Sequence, residues 1–182
     1  ANGGLATYVG GTGTSVLSFS YAPVAGQDTA DLALATADAL RGSIQDVAGN
    51  AARLSSANGV NPSGILVVDT TPPGLSSLRL GTNDGLLGSG EPVDLLVTFT
   101  EPVSVSGTVS VGLNNGGVAK YASGSGSGTL VFNYVPLAGQ ETPDIKTAAS
   151  ASLSGVVRDL AGNLVSQGIV DNIDPAGGLE IG

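Results

Sequence analysis

The sequence contains no cysteine and no histidine among its 182 residues. Without cysteine, the chain has no disulfide framework, no thiol nucleophile and no thiolate metal site. Without histidine, it has no Ser-His-Asp triad and no imidazole ligand for a metal. A hard cation bound through oxygen atoms is therefore the only metal that the composition favours.

Basic and aromatic residues are also scarce. Lys and Arg number 6 against 15 Asp and Glu, so the formal net charge is −9 and a nucleic-acid-binding surface is excluded. Trp is absent, and 3 Phe and 4 Tyr leave little material for a sugar-stacking platform. No apolar run reaches the ~18 residues of a membrane span. Because there is neither an initiating Met nor a signal peptide, we expect an internal fragment of a longer protein.

The remaining residues do not form a recognisable catalytic site. Glu91 and Glu101 bracket one predicted strand of about nine residues, and at strand rise they lie ~30 Å apart, too far to act together on a glycosidic bond. GSGSG (124–128) resembles a phosphate loop, but a strand rather than a helix follows it and it carries no Lys. We therefore expect that the protein is not an enzyme.

An internal repeat dominates the sequence. Residues 2–50 recur without a gap at residues 115–163, with 23 of 49 positions identical. A period of 113 residues is too long for a solenoid repeat and fits one whole β-sandwich domain. The best-matched stretches are NGGLATY (2–8) with NGGVAKY (115–121), VLSFSYAPVAGQDTAD (16–31) with TLVFNYVPLAGQETPD (129–144), and GSIQDVAGN (42–50) with GVVRDLAGN (155–163).

The two copies differ in what precedes this shared block. Residues 74–113 precede it in the second copy, whereas the first copy begins directly with it. Because the first copy lacks partner strands, we expect its exposed edges to pair with another segment or to be poorly ordered. The predicted organisation is residues 1–68 as the C-terminal part of one repeat, 69–73 as a linker, 74–171 as a complete repeat, and 172–182 as a linker and the start of a next repeat.

The complete repeat has the alternation of short β-strands. In PVDLLVTFT (92–100) apolar residues recur with period two, and TLVFNYV (129–135) places three large apolar residues on one face. About seven short strands separated by Gly-rich and Asn-rich turns favour an all-β, immunoglobulin-like (Ig-like) β-sandwich. Further strands are predicted at 75–81, 108–113, 118–122, 155–159 and 164–170. Predicted core aromatics are Tyr8, Phe19, Tyr121 and Phe132.

Four motifs, in their order along the chain, carry a family resemblance. They are DTTPP (69–73), FTEPVSVSG (99–107), KYASGSGSGTLVFNYVPLAGQ (120–140) and VVRDLAGN (156–163). With these motifs the chain resembles the bacterial Ig-like repeats that are strung along large secreted adhesins and other cell-surface proteins. The resemblance implies tandem Ig-like domains joined end to end, often with calcium at the junctions. It also implies an extracellular or cell-surface stalk or adhesive arm, whose partners are neighbouring repeats and a host or surface glycan or protein.

Two other functions remain open. The chain can be an accessory carbohydrate-binding or protein-binding module of a secreted enzyme, which requires an exposed aromatic patch or a concave groove. It can also be a subunit of a cell-surface lattice, which shares the fold and differs only in its assembly.

A calcium site is predicted where one repeat meets the next. If the strands alternate in direction, the entry linker and the loops after the second and sixth strands share one pole, and an acidic loop of the preceding repeat reaches the same junction. Their carboxylates, with backbone carbonyls and water, can supply the six to eight oxygen ligands that calcium prefers. The predicted ligands are Asp28, Asp31, Asp69, Glu101, Asp159 and Asn163.

The same acidic residues have a purely structural interpretation. Asp in a DxAGN motif can accept hydrogen bonds from nearby backbone N–H groups, and Asp28 and Asp31 can belong to a solvated loop. Duplication does not separate the two interpretations, because duplicated turns also repeat. A second acidic group is predicted at the far pole, formed by Asp84, Glu91, Glu141, Asp144 and Asp171, with Asp174 in the following linker.

Overall fold

The structure, a computed structural model, describes residues 2–81, 85–175 and 177–182. The chain divides into two compact units, residues 1–71 and residues 72–182. We call these the first unit and the second unit. The division falls inside the segment that the sequence analysis predicts to be a linker.

The described residues form an all-β protein whose sheets are antiparallel except for one short parallel pair, and the fold is β-sandwich-like. They include no α-helix, and their single 3-10 helix spans Leu54–Ala57. None of them belongs to a helix with the length and apolar character needed to cross a membrane. The strands are β1 (Thr7–Gly10), β2 (Ser18–Ser20), β3 (Leu75–Leu80), β4 (Gly85–Leu87), β5 (Val93–Gly112), β6 (Val118–Ser123), β7 (Ser127–Tyr134), β8 (Leu153–Asp159) and β9 (Leu179–Ile181).

The second unit is organised around the long strand β5. Up to Phe99 this strand pairs with β3 and β7. At Val103 it pairs with β7 and β8, and its C-terminal part pairs with β8 and β6. The sequence predicts two separate strands here, 92–100 and 108–113, but the chain continues as one strand. Pro102 lies where β5 changes partners, so its missing N–H removes no ladder hydrogen bond and does not end the strand.

The core of the second unit is assembled from two parts of the sequence. Of the 22 buried hydrophobic residues among those described, eleven come from residues 74–113 and eleven from residues 115–182. The alternation predicted in β5 and β7 is confirmed, since Val93, Leu95 and Val97 are buried on one strand and Leu130 and Phe132 on the other. Residues 74–113 therefore supply half of this core.

The predicted strand at 164–170 does not form. Leu164 forms only an isolated bridge with Arg158, and turns follow, with Ile169 N–H bonded to Ser166 O and Asp171 N–H bonded to Gly168 O. Val165 and Val170 are nevertheless buried. Their spacing of five does not match a strand, because side chains alternate between faces with period two.

The second unit extends to Gly182, past the end at 171 that the sequence analysis predicts. Strand β9 pairs in parallel with β4, and Leu179 and Ile181 are buried in the core. Residues 179–181 therefore complete this unit. In the predicted turn at 83–85, Asn83 and Asp84 lie outside the described residues.

The first unit contains an open β-hairpin. Strands β1 and β2 pair antiparallel, with Tyr8 opposite Phe19. None of the described residues from 2 to 71 is buried. The predicted core position of Phe132 is confirmed and Tyr121 is half-buried, whereas Tyr8 and Phe19 are exposed, contrary to prediction. The described residues of the first unit include no strands equivalent to β3 and β5 beside this hairpin.

The 113-residue offset extends further in the structure than in the sequence alignment. An isolated bridge joins Thr29 to Val68, and its counterpart joins Thr142 to Ile181. Only three identities, Pro62, Gly64 and Leu66 with their partners at the same offset, mark this extension in residues 51–68. Backbone pairing therefore preserves the correspondence after the sequences have diverged.

Candidate functional site

The Asp159–Asn163 turn follows strand β8 and holds a buried carboxylate. Asp159 Oδ1 accepts hydrogen bonds from the backbone N–H groups of Gly162 and Asn163 at 2.7 and 2.8 Å. Asp159 Oδ2 accepts a third from Asn163 Nδ2 at 2.8 Å. Because each carboxylate oxygen has two lone pairs, Oδ2 keeps one lone pair for a further ligand.

Glu101 lies close to this turn in the second unit. Val103 of β5 pairs with Asp159 of β8, which places the point where β5 changes partners beside the end of β8. Carboxylate oxygens of Glu101 and Asp159 lie within 4.8 Å of each other, and only 3% of Asp159 is exposed. Two carboxylates at this separation, one of them buried, favour a cation or a proton between them.

The same turn occurs in the first unit without burial. Asp46 Oδ1 accepts hydrogen bonds from Ala48 N–H and Asn50 N–H at 2.9 and 2.8 Å, and Oδ2 accepts one from Asn50 Nδ2 at 2.8 Å. The hydrogen bonds from the Asn50 side chain and backbone lower the pKa of Asp46. In both copies the Asn side chain and backbone N–H bond the Asp carboxylate, so the turn itself follows from the DxAGN motif, which agrees with the structural interpretation of these residues.

Asp28 holds the end of the first unit. Its carboxylate accepts hydrogen bonds from the hydroxyls of Thr70 and Thr71 at 2.6 and 2.7 Å. These bonds, with that from the Thr70 N–H, lower the pKa of Asp28. Asp69 is half-buried, and its Oδ1 accepts a hydrogen bond from Thr71 N–H at 2.9 Å. Both residues shape the chain just before the second unit begins.

Asp31 has a comparable role within the first unit. Its Oδ2 accepts a hydrogen bond from Asn61 Nδ2 at 2.7 Å, and its Oδ1 accepts one from Leu66 N–H at 3.1 Å. The bond from Asn61, followed by that from Leu66, lowers the pKa of Asp31. Asp28 and Asp31 thus connect segments of the first unit that are 30 to 43 residues apart in sequence.

At the predicted far pole, a lysine pairs with two of the carboxylates. Lys146 Nζ lies 3.1 Å from Asp174 and 3.2 Å from Asp144, and these two partners raise its pKa. Asp171 instead accepts hydrogen bonds from Ser152 and Ala151. Asp84 lies outside the described residues.

Sequence reasoning missed a polar network that both units share. Asn115 Nδ2 donates to Tyr134 OH at 2.8 Å and to the carbonyl oxygen of Gln140 at 2.7 Å, and Tyr134 OH donates to Gln140 Oε1 at 3.1 Å. At the same offset, Asn2 Nδ2 donates to Tyr21 OH at 2.8 Å. The sequence does contain a signal for this network, since the asparagine, tyrosine and glutamine are identical in the two copies of the repeat.

Comparisons with protein-family models, with curated proteins and with solved structures found no match to this chain.

Proposed function

We propose that the protein is a structural or adhesive module of a large extracellular bacterial protein. In this proposal the two units are tandem Ig-like repeats that form part of a stalk or adhesive arm. Calcium bound near the linker stiffens the connection between neighbouring repeats. The module has no catalytic role.

The observation that carries this proposal is the recurrence of the same contacts 113 residues apart. Tyr21 OH donates to Gln27 Oε1 at 3.0 Å, as Tyr134 does to Gln140 at 3.1 Å. The ring pairs correspond as well, with centroids 5.7 Å apart in the first unit and 6.0 Å apart in the second. Duplicated internal contacts are typical of repeats whose function is spacing and presentation.

The chemistry of the Glu101–Asp159 pair supports calcium as the ion. Its donors are carboxylate oxygens, which are the hard ligands that calcium takes at 2.3–2.6 Å. Asp159 can bind through the remaining lone pair of Oδ2, and the turn that ends at Asn163 fixes the orientation of that oxygen. Two carboxylates fall short of six to eight ligands, so the site needs further oxygen donors.

The sequence analysis predicts Asp69 as one of these further ligands, and chain connectivity supports it. Gly74 O accepts a hydrogen bond from the N–H of Thr100, the residue before Glu101, at 2.8 Å. Asp69 precedes Gly74 by five residues, so the chain can span at most ~17 Å between them. This length of chain permits Asp69 to reach the pair.

A calcium titration of the full chain tests this proposal. Extracellular calcium modules bind with dissociation constants of about 10⁻⁴–10⁻³ M, so 10 mM calcium should stabilise the folded state by ~1.5–2.7 kcal/mol. For a domain of this size each kcal/mol raises the melting temperature by ~4–8 °C. Small-angle scattering on the same samples should show a larger maximum dimension with calcium than with a chelator.

Three variants sharpen the titration. Glu101→Gln and Asp69→Asn should each remove most of the calcium-dependent shift, because each replaces a charged ligand by a neutral side chain of similar shape. Glu91→Gln is the matched control, since the Glu91 carboxylate bonds the N–H of Gly88 in its own turn. Identical melting curves and scattering profiles with and without millimolar calcium would contradict the calcium proposal.

A glycan array probed with the full chain separates this function from that of an accessory carbohydrate-binding module. We expect no binding that depends on an exposed aromatic residue. Saturable binding of one sugar class, abolished by Tyr8→Ala, would favour the accessory module instead.

A further inference from the structure

Strand β9 of the second unit is held by backbone hydrogen bonds to two other segments. Ile181 N–H donates to Thr142 O at 2.8 Å, and Ile145 N–H donates to Leu179 O at 2.9 Å. Strand β9 also pairs with β4. Leu179 and Ile181 are 1% and 3% exposed, so the core of this unit is complete only when β9 is docked.

Five residues, 174–178, separate β9 from the preceding backbone contact with the same partner segment. Thr147 N–H donates to Ile173 O at 3.0 Å, and Asp174 follows directly. Opposite these five residues the partner segment has one residue, Lys146. We call residues 174–178 the connecting segment. The docking of β9 depends on how the start of this segment is fixed.

A lysine fixes the start of the connecting segment. Lys146 Nζ lies 3.1 Å from a carboxylate oxygen of Asp174 and 3.2 Å from one of Asp144. The backbone of Lys146 is itself held, since its N–H donates to Asn114 Oδ1 at 3.0 Å and its carbonyl oxygen accepts from Asn114 N–H at 2.9 Å. Asn114 Nδ2 also donates to the carbonyl oxygen of Asp144 at 2.9 Å. Lys146 and Asp144 thus form an anchored base to which Asp174 is tied.

The first unit fastens the corresponding segment without a lysine. Leu32 N–H donates to Leu66 O at 2.8 Å, which is the counterpart of the bond from Ile145. Asn61 Nδ2 donates to Asp31 Oδ2 at 2.7 Å and ties the same two segments together. A neutral amide therefore does in the first unit what an ammonium group does in the second.

Two substitutions between the copies account for this difference. At the 113-residue offset, three positions correspond: Asp31 with Asp144, Asn61 with Asp174, and Ala33 with Lys146. The change from asparagine to aspartate brings two carboxylates together, which repel each other. The change from alanine to lysine supplies the positive charge that joins them. The paired change keeps the two segments tied while an ion pair replaces the amide hydrogen bond.

We propose that Lys146 is an electrostatic latch, which holds β9 in the second unit through Asp144 and Asp174 and weakens as the ionic strength rises. When the latch opens, β9 leaves its place beside β4 and exposes Leu179 and Ile181. The exposed apolar surface of the second unit then responds to the ionic strength of its surroundings. The corresponding segment of the first unit does not respond in this way, because salt screens an exposed ion pair far more than a hydrogen bond from a neutral amide.

The latch needs neither calcium nor a tandem array of repeats. A failed calcium titration therefore leaves it unaffected, and a failed test of the latch leaves the calcium proposal unaffected.

Hydrogen exchange of the full chain at low and high salt tests the latch. The reporters are the amides of Ile145 and Ile181, and the amides of Leu32 and Val68, which make the same backbone bonds in the first unit, are the internal reference. Between about 0.01 M and about 1 M sodium chloride the Debye length falls from ~30 Å to ~3 Å. We expect exchange at Ile145 and Ile181 to accelerate at least about threefold, with no acceleration at Leu32, at Val68 or in β7. Screening of the net charge of −9 acts in the opposite direction, because it favours the compact state and slows exchange.

Three variants identify the residues of the latch. Lys146→Ala should accelerate exchange at Ile181 at least about threefold in low salt, because it leaves Asp144 and Asp174 without the ammonium group between them. Lys146→Ala combined with Asp174→Asn recreates the side chains of the first unit, so it should restore protection and remove the salt dependence. Lys120→Ala is the matched control, since it removes the same charge from an exposed position of β6 and should leave exchange in β9 unchanged.

Three results would overturn the proposal. The first is equal exchange of Ile145 and Ile181 at low and high salt. The second is a Lys146→Ala chain whose β9 is as well protected in low salt as that of the unmodified protein. The third is acceleration by salt that is equal in β7 and β9, because it would report unfolding of the whole unit and not the opening of β9.

Discussion

Phenylalanines 19 and 132 offer an internal comparison of the same side chain in an open and a closed environment. Phe132 is fully buried between β5 and β6, with its ring 6.0 Å from that of Tyr121. Phe132→Ala removes this packing and leaves a cavity, which costs ~3–5 kcal/mol at a fully buried phenylalanine. The second unit should therefore lose ~4 kcal/mol of its free energy of unfolding.

Phe19→Ala should cost far less in the first unit. With 42% of Phe19 exposed, roughly half of the ~1.5–3 kcal/mol for burying a large apolar side chain is lost, and no enclosed cavity forms. The expected change is ~1 kcal/mol. A difference of ~3 kcal/mol between the two variants corresponds to about a hundredfold in the unfolding equilibrium constant.

Fluorine NMR of 3-fluorotyrosine measures both units in one sample. The four tyrosines are divided evenly, with Tyr8 and Tyr21 in the first unit and Tyr121 and Tyr134 in the second. Neither variant removes a tyrosine, so folded and unfolded populations of each unit can be followed through a urea titration. Equal destabilisation by the two variants, or a larger effect of Phe19→Ala, would refute the idea that the missing strands alone cause the difference in burial.

Two further predictions concern the second unit. Gly124→Ala should destabilise it by more than ~2 kcal/mol, because Gly124 has φ +105° and a Cβ would lie 2.1 Å from the carbonyl oxygen of Thr129. Gly126→Ala should cost only the ~1 kcal/mol that a positive φ imposes on alanine, since no atom lies within 4 Å of the added Cβ. Equal urea midpoints for the two variants would contradict this prediction. Hydrogen bonds from the Ser152 N–H and hydroxyl lower the pKa of Asp171. They therefore stabilise the folded protein at pH values above the ordinary Asp pKa near 3.9. This stabilisation is lost as the pH falls through the lower pKa that Asp171 has in the folded protein. Carbon NMR of the carboxyl group should give a midpoint below that of the urea-unfolded chain, and a midpoint at or above it would contradict the assignment.

Local patterns in the sequence predict much of the second unit. The period-two alternation of β5 and β7 places the core residues correctly, because side chains on a strand alternate between its faces. SGSGSG (123–128) predicts the hairpin between β6 and β7, where Gly124 and Gly126 adopt the positive φ angles that a tight turn requires.

The candidate site shows the limit of such reasoning. Glu101 and Asp159 lie close together, but Glu101 lies within β5 and not in the loop that alternating strand directions predict. The hydrogen bonds that Asp28 and Asp31 accept from residues 30 or more positions away were not predicted. Such bonds form only where segments distant in sequence pack together, and the residue types alone do not predict that packing.

The sequence by itself determined the duplication, the 113-residue offset, most of the strand-forming segments and the DxAGN turns, because each follows from composition or from contacts between near neighbours. Only the tertiary structure decided that β5 continues past Pro102, that Leu179 and Ile181 complete the second unit, and that Phe19 and Phe132 have opposite exposure. Burial is a property of the partner strand as well as of the residue. Closely matching stretches of sequence therefore form a closed core in one unit and an open face in the other.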